Sequence, residues 1–165
     1  MNVLLKKIKM KKLFLKGIVL SSLLVMMSCN EKKDPVQYNN EIVTVINGSD
    51  KHMTDMNSAM QSKDYDKAEK VRVEWEKAID QDIKKMEDIG DFNGDAQLQN
   101  AVLNGLKGYK KIVTDDYPKL IDLRKKNTQD PAAEQLLLNN INNAFENMAE
   151  NVNQASDKFE RDYNK

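Results

Sequence analysis

Few residues in this chain carry chemistry beyond packing and solvation. There is one cysteine, Cys29, and one histidine, His52. A single thiol forms no intramolecular disulfide, and a single imidazole excludes two-histidine metal sites and Glu-x-x-His pairs. His52 lies near Met53 and Met56, but methionines at helical spacing are ordinary core filler. Asp91-Phe92-Asn93-Gly94-Asp95 sets oxygens at alternate positions, as the first half of a calcium loop does. The sixth position of such a loop falls on Ala96, where glycine is needed, and the twelfth on Val102, where a bidentate glutamate is needed. The stretch therefore reads as an interhelical turn capped by Asp95. Asp115-Asp116 and Glu87-Asp88 are sequence neighbours that point apart on a helix, and Glu146 and Glu150 share a face without a base. No glycine-rich phosphate loop is present. No catalytic residue, metal or cofactor is expected, and the chain does not read as an enzyme. The aromatic residues leave one ligand candidate, a pocket between helices near Trp75 and Tyr109; the alternative for the same residues is plain core packing.

Cys29 stands out by its surroundings. Residues 1–28 contain six lysines and no acid. Gly17–Met27 then runs eleven residues without a charge. That length suits the apolar region of a secretory signal and is short of the about 20 residues a spanning helix requires. Met10, followed by two lysines, also opens a compact signal of the same kind. The apolar run ends in Leu24-Val25-Met26-Met27-Ser28-Cys29, so the only thiol follows it directly and is preceded by a small residue.

This arrangement resembles the lipobox of bacterial lipoproteins: an apolar residue at −3, a small one at −1, then cysteine. Met26 stands where leucine is usual, and Met27 is bulkier than the common alanine or serine. The resemblance implies cleavage between Ser28 and Cys29 and a lipidated Cys29 at the mature N-terminus, inserting acyl chains into a membrane. Each buried CH₂ contributes about 0.8 kcal/mol, and stable anchoring takes two chains or more. Asn30 follows the cysteine in place of the aspartate that commonly retains lipoproteins in the inner membrane, so the resemblance implies an outer-membrane destination.

The remaining chain must then fold by itself. Without residues 1–28 it carries 20 basic and 26 acidic residues, a mildly acidic balance that argues against nucleic acid as partner. Residues 29–35 are polar and read as a flexible tether. From there the apolar spacing is helical and alternation is absent. The pattern predicts helices over 36–61, 65–89, 96–126 and 131–163. Asn47-Gly48-Ser49 predicts a bend or break in the first, and Pro118 a kink or break near 114–118 in the third. Asp64 and Asp130 are expected N-caps, with Pro131 at the first helical position. Leu138, Ile141, Phe145, Met148, Val152, Ala155 and Phe159 step by three and four, forming a heptad seam. Asparagines flank that seam and give the last helix an uncharged outer face.

The expected architecture is all-α: an up-down-up-down four-helix bundle over 36–165, preceded by a cleaved signal peptide (1–28) and a short polar tether (29–35). Lipobox, tether and helical domain together resemble small all-helical envelope lipoproteins of Gram-negative bacteria. The resemblance implies a non-enzymatic interaction module anchored in the outer membrane through Cys29, with a protein partner on exposed helical faces. The alternative is a periplasmic or surface carrier or sensor for a small ligand.

Overall fold

The computed structural model describes residues 32–163. Ser28 and Cys29, with the whole expected signal segment, lie outside the described residues. Four helical rods form an up-down-up-down bundle. The first consists of α1 (Pro35–Ile46), a 3₁₀ turn (Asn47–Ser49) and α2 (Asp50–Gln61). The second is α3 (Tyr65–Ile89). The third consists of α4 (Gln97–Lys111), a π-helical segment (Ile112–Asp116) and α5 (Tyr117–Lys125). The fourth is α6 (Pro131–Tyr163). Tyr38 at the start of α1 meets Gly90 after α3, and Tyr163 at the end of α6 meets Asp95 before α4, as antiparallel neighbours require.

The expected caps form. Asp64 accepts the Lys67 N–H (3.0 Å) and Asp130 the Ala133 N–H (2.9 Å), each satisfying a donor that has no partner within the helix. Asp34 does the same for Gln37 (2.9 Å), so α1 begins at Pro35, one residue earlier than the apolar pattern suggests. Proline suits this position because its missing N–H is not needed there.

Both predicted interruptions occur, and both are built into the core. In the first rod, Ser49 is fully buried and its Oγ accepts the Trp75 indole N–H at 3.1 Å. Gly48 faces Asp82 of α3 so closely that a Cβ there would lie 2.3 Å from Asp82 Oδ2. Asp82 is itself buried. Its Oδ1 accepts from Lys85 Nζ at 3.1 Å, while Oδ2 has no hydrogen-bond partner among the described residues.

In the third rod the chain stays helical through Pro118 by widening. The Tyr117 N–H bonds to the Ile112 carbonyl, five residues back, instead of to Val113. Pro118 has no N–H to offer. The Val113 carbonyl is thereby orphaned, and Arg72 of α3 donates to it from Nη1 at 3.2 Å. Arg72 is held in place by Glu69 (2.7 Å) and Glu76 (3.0 Å) on its own helix. On the other side of the widened segment, buried Asp116 accepts from Asn140 of α6 at 3.0 Å.

The pairing of α4 with α6 depends on a missing side chain. A Cβ at Gly105 would lie 1.5 Å from the sulfur of Met148, whereas one at Gly108, three residues on, would meet nothing within 4 Å. Gly105→Ala is therefore expected to destabilise the fold by about 1–2 kcal/mol through overpacking, despite better helix propensity. Gly108→Ala is expected to stabilise it by about 0.5–1 kcal/mol. Chemical denaturation of the two variants checks the pair; equal effects would mean that the Met148 side chain moves aside at no cost.

Candidate functional site

The two ends of the bundle differ in construction, and the N-terminal chain enters at one of them. Lys33 crosses the α3–α4 turn and is fixed by both backbone and side chain. Its N–H donates to Asn93 Oδ1 (2.9 Å), and Asn93 Nδ2 donates back to the Lys33 carbonyl (3.2 Å). The asparagine amide thus exchanges two hydrogen bonds with one residue, as a neighbouring strand would. The Lys33 ammonium donates to the carbonyls of Ile89 and Asp91 and lies 5.3 Å from the centre of the Tyr38 ring. A cation at the C-terminus of α3 complements the helix dipole, and the aromatic face adds cation–π attraction. Lys33 and Asp34 are thus fastened to the bundle and Pro35 is already helical, so the tether expected over 29–35 is tied down in its last three residues.

The Asp91–Asp95 segment is fully engaged as a turn. Phe92 and Asp95 exchange backbone hydrogen bonds (2.8 and 2.9 Å), Asp91 Oδ1 accepts the Gly94 N–H (2.9 Å), and Asp95 Oδ1 accepts the Gln97 N–H (2.9 Å). Asn93, which would be a calcium ligand in a loop of that type, holds Lys33. Among the described residues no group of three or more His, Cys, Asp or Glu is placed to hold a metal ion. The turn drives Phe92 inward, where its ring meets Tyr38 (5.1 Å), Phe159 (4.9 Å) and Tyr163 (4.6 Å). The Tyr38 hydroxyl donates to the Gly90 carbonyl and that of Tyr163 to Asp95 Oδ2, both at 3.0 Å. Phe92 falls outside the periodic stripes, so its place in the core carries no helical spacing signal.

Trp75 and Tyr109, the pair expected to flank a ligand pocket, are brought together in mid-bundle with ring centres 6.3 Å apart. The rings of Tyr117 (5.7 Å) and Phe145 (6.3 Å, stacked) also pack against the indole, and Phe145 lies 5.1 Å from Tyr109. Trp75 is fully buried and Tyr109 nearly so. The two rings are packed against aromatic neighbours, with the indole N–H occupied by Ser49.

A cleft opens elsewhere, at the end of the bundle away from Lys33. It has a volume of about 330 Å³ and lies among the end of α2, the start of α3, the end of α5 and the start of α6. Tyr65, Gln61 and Lys63 line one side, Asn127, Thr128 and Gln129 the other. Arg124 crosses its wall to Glu134 at 2.7 Å. Amides, a hydroxyl, an ammonium and one aromatic ring give it a polar, hydrogen-bonding character. Asp130 and Pro131, the cap and first residue of α6, also line it, whereas Asn127, Thr128 and Gln129 carry no periodic pattern.

Comparison of the chain with protein-family models, curated proteins and solved structures gives no match.

The buried tyrosines have a measurable consequence at high pH. Burial pushes the Tyr38 hydroxyl up to about 12, with Asp91 and Asp95 adding to the effect. Burial likewise raises Tyr109, with Asp50 contributing, and Tyr117, with Tyr109 contributing. Between the ordinary tyrosine value near 10 and these raised values, the unfolded chain has lost protons that the native one retains. Stability therefore falls as pH rises through this window. Denaturation midpoints are expected to hold up to about pH 9.5 and drop steadily above pH 10. Tyr38→Phe should make that alkaline drop shallower; an unchanged slope would mean that Tyr38 titrates as an exposed phenol does.

Proposed function

We propose that this chain is a lipid-anchored, non-enzymatic helical interaction module of a Gram-negative outer envelope. One observation carries the reading: the only thiol in the chain, Cys29, directly follows the apolar run and Ser28. A free thiol in a secreted chain is otherwise an unexplained reactive group. The fold is compatible with such an anchor. Among the described residues no helix is long and apolar enough to cross a membrane. The tie at Lys33 brings the chain that leads back to Cys29 to one end of the bundle, and the polar cleft lies at the other. A partner engaging the cleft end or the exposed helical faces would meet the side away from the anchor. The short inventory of reactive side chains supports binding rather than catalysis.

The small-ligand reading is favoured by the cleft, not by Trp75 and Tyr109, whose rings are packed among Tyr117 and Phe145. A ligand there would be polar, held by hydrogen bonds from Gln61, Lys63 and Asn127 around Tyr65.

Two experiments test the reading. Cys29→Ser is expected to move the protein from the membrane pellet to the soluble fraction; a variant that still sediments with the outer membrane contradicts the anchor. Cross-linking in intact cells is expected to recover a specific adduct. Recovery of monomer alone under several chemistries would contradict an interaction role.

A further inference from the structure

We infer that the Lys33 end of the bundle is a membrane-contacting face, seated on the headgroup layer of a zwitterionic bilayer so that the opposite cleft points away from it. The inference rests on the lipid-anchor reading and adds an orientation to it. Cys29 and Lys33 are four residue steps apart, which span at most about 14 Å when fully extended. Lys33 is not free to swing, because Asn93 grips its backbone and the Ile89 and Asp91 carbonyls hold its ammonium. An acylated Cys29 thus holds the α3–α4 turn close to the bilayer, while α6 alone, with 33 residues, is about 50 Å long.

The surface chemistry of this end agrees. Three large hydrophobic side chains are exposed among the described residues, and two of them, Val36 (52%) and Tyr163 (38%), stand here. Tyr163 presents a ring with one apolar and one polar end, the character favoured at a membrane interface. Its hydroxyl is fixed on Asp95, which orients the ring. Charges of both signs stand at this end: Asp34, Asp91, Asp95, Glu160 and Asp162 beside Lys32, Lys33, Lys158 and Arg161, with Lys158 paired to Asp162. That balance disfavours a strongly anionic surface and suits a zwitterionic one.

The test uses the full chain, purified after expression in a lipoprotein-processing bacterium and reconstituted into phosphatidylcholine vesicles carrying an acceptor dye. A donor dye is placed at Gln97→Cys, in the first turn of α4 at the Lys33 end, or at Gln129→Cys at the cleft. Both positions are exposed. Energy transfer from position 97 is expected to exceed that from position 129 several-fold. Lys33→Ala with Asn93→Ala is expected to bring the two towards equality while the protein still floats with the vesicles. Val36→Ser, at an exposed site that leaves the core intact, should reduce transfer from position 97. Equal transfer from both positions in the otherwise native chain, with the protein on the vesicles, overturns the orientation alone. A chain that fails to float with vesicles overturns the anchor, and the orientation with it.

Discussion

The hold that Asn93 and the end of α3 have on Lys33 fixes where the N-terminal chain meets the bundle. Helix C-termini leave carbonyls without partners, and here a lysine from 56 residues earlier supplies the donor. The same contact sets the ammonium over the Tyr38 ring, which itself packs on Phe92 and Phe159. It also converts the last part of a polar spacer into a structural element. Without it, Lys33 and the residue before it would have no fixed place against the bundle. With it, the point where the chain leaves the fold is fixed at one end, and the cleft lies at the other.

The centre of the bundle follows a related logic, in which interruptions supply contacts that regular helices would not. The 3₁₀ turn places a serine hydroxyl under the indole of Trp75, and the adjacent glycine admits the carboxylate of Asp82. Widening at Ile112–Asp116 absorbs Pro118 and leaves a carbonyl that Arg72 takes up across the helix interface. These polar contacts connect α3 to the rods on both sides. They tie the rotation of α3 to that of the first and third rods, where apolar contacts alone discriminate weakly between neighbouring registers.

Much of this was legible in the sequence because helices report themselves locally. Spacings of three and four, aspartate caps and two interruptions gave all four rods, with α3 and α6 at their observed limits. What the sequence left open depends on distant partners. Pro118 signals a disturbance, but the partner that takes up the freed Val113 carbonyl is Arg72, 41 residues from Val113. Asp82 reads as a surface charge on an amphipathic helix until Gly48 is placed against it. The pairing of Lys33 with Asn93 spans 60 residues and has no periodic signature. Spacing puts Trp75 and Tyr109 on inner faces, but the rings that pack against them come from the start of α5 and from α6. The cleft is formed by turn residues whose proximity only the bundle topology creates.

The functional account joins two kinds of observation: a cysteine whose setting resembles a lipidation site, and a fold that fixes the exit of the chain leading to it. Its central claim is that Cys29 is the acylated first residue of the mature protein. Mass spectrometry of the N-terminal peptide from the native membrane-extracted protein tests this most directly. The account predicts a peptide beginning at Cys29 with the added mass of diacylglycerol, with or without a further acyl chain. A peptide that retains residues before Cys29, or that carries Cys29 as an unmodified thiol, would contradict it.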